Sequence, residues 1–286
     1  MPSLIDIRRR VRSVRNTQQI TKAMKTVSAA KLRRAQDRVI AARPYAKLLG
    51  QVLGNLAAAT ATDERTASNP LLAQRPEKRI QMILITSDKG LAGAFNSNLI
   101  KAATKFAQDH SDAEIQFTLV GRKGRDYFRK RGASIAGEYV NLLGNPQYAD
   151  AAKIAGEVIT RFRDAEADAV YLLNNEFKSV VSQKLTVTRL LPVTVEAAAS
   201  GLDYIYEQPP AEMLERLLPR HVEIEIYRAM LETAAAEHAA RLMAMEAASS
   251  NAADMIDRLL LYMNRVRQAS ITKEIIEVVS GAAAAE

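Results

Sequence analysis

Between Pro219 and Gly281 the chain runs for 61 residues without a glycine or a proline. No other feature limits the fold so strongly. Within it Tyr227, Leu231, Ala234, His238, Arg241, Met245, Ala248, Ala252, Met255, Leu259, Tyr262, Val266, Ala269, Lys273, Ile276 and Ser280 follow one another in alternating steps of four and three. That spacing keeps one stripe of a helix turned toward a partner helix. At 1.5 Å per residue it predicts a rod of roughly 90 Å, where helices in compact domains average about 11 to 12 residues. The alanines at 234, 248, 252 and 269 leave room for close backbone approach. Gly281 reads as a stop signal ahead of the closing alanines.

The other end of the chain offers a mate. From Ser3 to Arg43 there is again neither glycine nor proline, and apolar residues recur at Leu4, Ile7, Val11 and Val14, then at Leu32, Ala35, Val39, Ala42, Ala46, Leu49, Leu53 and Leu56. Between these runs lies polar "NTQQ", across which the stripe is expected to shift to Ile20, Met24 and Val27, as a stutter would do. Pro44 is expected to kink or break the helix.

Residues 60–79 are polar and carry prolines, the composition of a linker. The period then changes. "IQMILITS", "IQFTLVG", "ASIAGEYV" and "AVYLLNN" are short apolar runs that alternate with helical stretches near Phe95–Asp109, Arg122–Arg131 and Tyr148–Asp164. Strands alternating with helices predict an open sheet of parallel character. "KLTVTRLLPV" adds an edge strand ending at Pro192. The expected division is an N-terminal coiled-coil helix over 1–59, a linker over 60–79, a Rossmann-like α/β domain over 80–206 and a C-terminal coiled-coil helix over 207–286. The two terminal helices should form an antiparallel coiled coil with the α/β domain inserted between them.

Charge adds a constraint on partners. Residues 1–50 carry thirteen Lys and Arg against Asp6 and Asp37, a local +11, so the rest of this +8 chain sums to −3. An acidic partner is expected, whether nucleic acid, anionic lipid or an acidic protein surface. The absence of cysteine removes disulfides, thiolate zinc sites and Cys nucleophiles. The three histidines, at 110, 221 and 238, lie far apart in sequence, which argues against a histidine metal site. No apolar run approaches the roughly 20 residues of a spanning helix. The Arg-rich N-terminus has no break of the kind that marks a cleaved leader and is read as part of the fold.

Two loops invite a nucleotide reading. "SDKGLAG", residues 87–93, lies where a strand meets a helix, but lacks both the GxxxxGK[ST] and the GxGxxG spacing. "GRKGRDYF", residues 121–128, reads as a turn with a basic helix start. A basic region joined to a coil is also the composition of a DNA reader, yet here the cleanest seam lies far downstream of the basic segment. No Ser/His/Asp trio or paired carboxylate stands out. His238, Arg241 and Lys273 are either polar register residues inside the coil or exposed contacts, with Lys273 the better fit to exposure.

Four segments, "NTQQITKAMKTVSAAKLRRAQ", "SDKGLAGAFN", "ARLMAMEAASSNA" and "RQASITKEIIEVVSGA", resemble the gamma subunit of F-type ATP synthase, over essentially the whole chain. The resemblance implies a rotor shaft within a ring of alpha and beta subunits, with no bond chemistry and no cofactor of its own, bound to the cytoplasmic face of a bacterial membrane only through other subunits. It implies contacts to the alpha and beta ring at Met24, Lys25, Ala92, Arg241, Arg267, Gln268 and Thr272. Tyr204 and Glu207 match a foot that meets the membrane c-ring, with the epsilon subunit alongside. Nucleic acid is not an implied partner. Where many relatives carry Cys this chain has Ala92, so thiol regulation is not expected.

Overall fold

The structure, a computed structural model, describes residues 3–60, 63–194 and 206–283. Elements follow in the order α1 (Leu4–Ala59), α2 (Glu64–Ala67), β1 (Arg79–Ile85), α3 (Phe95–Asp109), β2 (Glu114–Val120), α4 (Arg122–Arg129), β3 (Ile135–Tyr139), α5 (Tyr148–Arg163), β4 (Ala169–Phe177), β5 (Gln183–Leu191) and α6 (Pro210–Ala283). Contacts divide the chain into two compact units. One holds Met1–Ser28 and Leu242–Glu286, the other Ala29–Arg241.

In the first unit α1 and α6 pair antiparallel. Thr21 meets Ser249 and Lys25 meets Glu246, so numbers rise on one helix as they fall on the other. The expected stutter in α1 is absent. Ile20 and Val27 are exposed, while Thr21 and Ser28 are buried and Gln18 is half-buried. The seam therefore continues in regular steps from Leu4, Ile7, Val11 and Val14 through Gln18, Thr21, Lys25 and Ser28 to Leu32. Polar members hold it because their bonds are made inside: the Thr21 and Ser249 hydroxyls lie 2.7 Å apart, and Ser28 Oγ donates to the Met24 carbonyl at 2.7 Å. Satisfied polar groups can be buried at modest cost.

The α6 seam also differs in phase. Met245 and Ala252 are buried as expected, but between and after them the buried residues are Ser249 and Ile256, with Met255 and Tyr262 exposed. A seam member may be followed by the next at three or four residues, and here α6 takes the step of four. Neither proline breaks its helix. Pro44 lies inside α1 and Pro219 inside α6. The carbonyls left without their usual donors belong to Ile40 and Glu215, both exposed and able to bond water. Gly281 does not stop α6, which runs on to Ala283; alanine is the strongest helix former and carries the turn past it.

The second unit is built around one sheet in the order β3-β2-β1-β4-β5. All pairings are parallel except β4 with β5, which is antiparallel and places β5 on the edge. β1 alternates across the sheet. Ile83 and Ile85 join Leu53, Leu56, Phe162, Leu218 and Met230 from the long helices and α5, whereas Met82 and Leu84 join Leu99, Phe117 and Phe128 of α3, β2 and α4. The segment between α1 and β1 is not bare linker. It forms α2, buries Leu71, and the Leu71 carbonyl accepts from the Val193 N–H at 2.9 Å.

Candidate functional site

The sheet order reverses between β1 and β4, and in open α/β sheets the strand ends beside such a reversal are where ligands bind. The loop after β1, residues 86–94, occupies that place, and its own groups fill it. Asp88 Oδ1 accepts from the N–H of Arg122 at 3.1 Å and of Asn141 at 2.8 Å. The Lys123 N–H donates to the Ser87 carbonyl, and the Gly124 N–H donates to Thr86 Oγ1 at 2.9 Å. All three donors at the start of α4 are thus used, and a carboxylate already sits where a phosphate would. Gly121 makes the closeness possible: its φ is +100°, and a Cβ there would lie 1.9 Å from the Thr86 carbonyl oxygen. The nucleotide reading of "SDKGLAG" and "GRKGRDYF" finds no open cradle here.

The same loop is tied to α6. Arg241 Nη2 donates to the Gly90 carbonyl at 3.1 Å and to Glu237 Oε1 at 2.5 Å. Both partners of this ion pair are buried. Burial raises the Glu237 carboxyl above its ordinary value, with Arg241 opposing it. His238 is buried as well, and burial, with the neighbouring charges of Arg241 and Lys31, lowers its imidazole to about 4. It is neutral near pH 7.

Two of the expected contact residues are buried within this chain. Ala92 is only 2% exposed and packs in the sheet core with Phe95 and Leu99. The exposed apolar side chain of that loop is Leu91, 64% exposed and held at φ +62°. Arg241 is 9% exposed, its guanidinium engaged within the chain as a loop clamp. Sequence reasoning missed Glu237, although a Glu four residues before an Arg on a helix is a legible pairing.

In the coil, Met24 is half-buried, and Lys25 pairs with Glu246 while both remain substantially exposed. Such a pair contributes little, about 0–1 kcal/mol. Arg267, Gln268 and Thr272 are exposed on α6. They stand at the start of a stretch with no cover among the described residues. Following the register of Thr21 with Ser249, α1 runs out near Val266. From Ile271 to Gly281 every residue is exposed, including Ile271, Ile275, Ile276, Val278 and Val279. Lys273, exposed as expected, pairs with Glu277 at 3.3 Å. Glu207 is exposed just ahead of α6. Tyr204 lies outside the described residues.

The chain thus joins a unit in which its two terminal helices pair antiparallel to a unit built on a five-stranded α/β sheet. Residues 3–285 match the sequence model of the ATP synthase family. The chain is 68% identical over 286 residues to the ATP synthase gamma chain of Solibacter usitatus, covering 100% of both. It is 50% identical over 289 residues to that of Pelotomaculum thermopropionicum, again covering 100% of both. Among solved structures, it resembles a chain of the central stalk and c-ring of Tetrahymena thermophila mitochondrial ATP synthase, with a TM-score of 0.63 and 26% identity over 80% of this chain and 99% of that one. A chain of Euglena gracilis mitochondrial ATP synthase shares the fold, with a TM-score of 0.67 at 18% identity over 98% and 94%. This chain belongs to the ATP synthase gamma chain family.

Proposed function

We propose that this chain is the central rotor shaft of a bacterial F-type ATP synthase. In this reading its coil stands inside a hexamer of alternating alpha and beta subunits, its foot meets the c-ring beside the epsilon subunit, and its turning opens and closes the catalytic sites on beta. The chain itself makes and breaks no bonds. It works from the cytoplasmic face of the plasma membrane as a peripheral subunit; among the described residues no helix is long and apolar enough to cross a membrane.

The observation that carries the reading is the bare end of α6. Five large β-branched residues, Ile271, Ile275, Ile276, Val278 and Val279, stand in water on a helix whose mate has ended. Exposed apolar surface of that kind marks a protein interaction, and a surrounding ring of subunits would cover it on all sides. Arg267, Gln268 and Thr272 supply a polar grip just below, Met24 and Lys25 a second contact, and Leu91 joins the loop's Ala92 position as its exposed contact to beta. Tyr204 and Glu207 are assigned to the foot. The +11 segment faces complementary acidic charge.

Reconstitution tests this directly. Purified alpha and beta should form a coupled ATPase with the other subunits only when this chain is added. Full ATP-driven proton pumping without it would overturn the proposal. Cutting the chain before Arg267 should weaken assembly or coupling, whereas removing 281–286 should be mild.

A further inference from the structure

A cavity of about 510 Å³ lies within the second unit, between the α1 segment Lys31–Arg38, the α6 segment Leu231–His238 and the loop Leu143–Pro146 that follows β3. Its charge is one-sided. Lys31, Arg34 and Arg38 recur at helical spacing along one wall, and Asp37 is the one acid among the lining residues. Arg38 Nη1 donates to Asn145 Oδ1 at 2.6 Å, which ties the loop to the helix. Lys31 and Arg34 make no ion pair among the described residues.

The inner wall is a polar side chain that is itself buried, His238, 8% exposed. Its Nδ1 lies 3.5 Å from Arg241 Nη1. A guanidinium only donates, so Nδ1 accepts and the ring proton sits on Nε2. That leaves an N–H donor with no partner among the described residues, on a ring that lines a cationic cavity. Arg241 cannot serve as a counter-charge, since Glu237 and the Gly90 carbonyl already hold it. Three cations and the N–H of a largely buried histidine ring form a pocket for an acceptor that carries several negative oxygens.

We propose that this cavity binds a small polyphosphate anion, either free or as the phosphate tail of a nucleotide, with Lys31, Arg34 and Arg38 neutralising its charge and His238 Nε2 donating to one oxygen. The site is distinct from the loop after β1, whose donors are internally used, and its three cations belong to the same +11 segment that faces acidic charge in the rotor reading. An anion here would oppose the positive field of Lys31 and Arg241 and bring His238 back toward its ordinary value. Glu237 and Asp37 are the other titrating groups beside the ring and wall.

Calorimetric titration of the full chain with inorganic pyrophosphate, ATP and adenosine, at matched ionic strength, tests the site. Proton NMR of the His238 ring is recorded alongside. Pyrophosphate should bind and raise the His238 pKa, and Arg34→Gln and Lys31→Gln should each weaken binding by about tenfold without changing the thermal melt. Equal affinity for pyrophosphate and ATP identifies a free-anion site, and tighter ATP binding with none of adenosine identifies a nucleotide's tail. Absence of heat with an unmoved His238 resonance would overturn the proposal. So would binding that survives both substitutions, or that chloride at equal ionic strength abolishes, or capture of only acidic peptides.

Discussion

The same two helices are packed in two ways. Within the second unit α1 and α6 bury large side chains, Leu49, Leu53 and Leu56 from one and Leu214, Leu218, Val222 and Met230 from the other, in a core shared with the sheet and α5. Within the first unit their buried residues are fewer and smaller or polar, with Thr21, Ser28, Ser249 and Ala252 beside Ile7, Val11, Met245 and Ile256. Burial at about 25 cal/mol per Å² of apolar area makes the second region the source of folding stability. The first contributes a shape and an outer surface, and its exposed Ile20, Val27, Leu261 and Tyr262 remain available to other chains.

If that contrast holds, the largest losses come from the second unit. Glu237→Ala would strand the buried Arg241 charge and should destabilise the chain by about 3–5 kcal/mol, read by urea unfolding. Leu56→Ala, at a site with no exposure, should cost about 2–5 kcal/mol. Thr21→Ala, which leaves Ser249 without its buried partner, should cost only about 1 kcal/mol. A Thr21 effect as large as that of Leu56 would break the contrast.

A smaller effect follows from His238. Its folded-state pKa, about 4, lies below the 6.5 of the unfolded chain. Above pH 6.5 both states hold the ring neutral; between about 6.5 and about 4 only the unfolded state takes up the proton, so stability falls as pH falls through that window. His221, lowered chiefly by burial, acts in the same direction. Glu237 and Glu232, raised chiefly by burial, act oppositely, contributing stability at low pH that is lost as pH rises through their folded values. His238→Asn should therefore flatten part of the loss between pH 6.5 and 4 in thermal melts made without phosphate. An identical pH profile for the variant would contradict the burial argument.

What the sequence could reveal depended on which force set each feature. The α/β strands, the edge position of β5 and the antiparallel pairing follow from hydrophobic period and turn residues, so they were legible. The α1 seam departs from the apolar positions Ile20 and Val27 because Gln18, Thr21 and Ser28 take the inner positions by bonding within the coil. The phase of α6 departs from the apolar pattern for the same reason, Ser249 taking the buried place in preference to Ala248. Prolines and Gly281 proved weaker signals than the packing and alanine propensity around them. At the candidate site, Arg267, Gln268 and Thr272 are named by the resemblance, and the structure leaves them exposed. The inward turn of Ala92 and Arg241 depends on tertiary contacts with Phe95 and Gly90 that no local spacing encodes.

The central claim is that the bare end of α6 exists for a surrounding partner and not for this chain's own stability. Changing Ile275, Ile276 and Val279 together to Asp tests it in one preparation, by comparing the variant's melt as a free chain with its ATP-driven proton pumping after assembly with the other subunits. The account predicts a melt within about 0.5 kcal/mol of the parent, as for ordinary surface changes, together with a large loss of assembly or coupling. Full pumping by the variant, or a collapse of the free chain's stability, would contradict it.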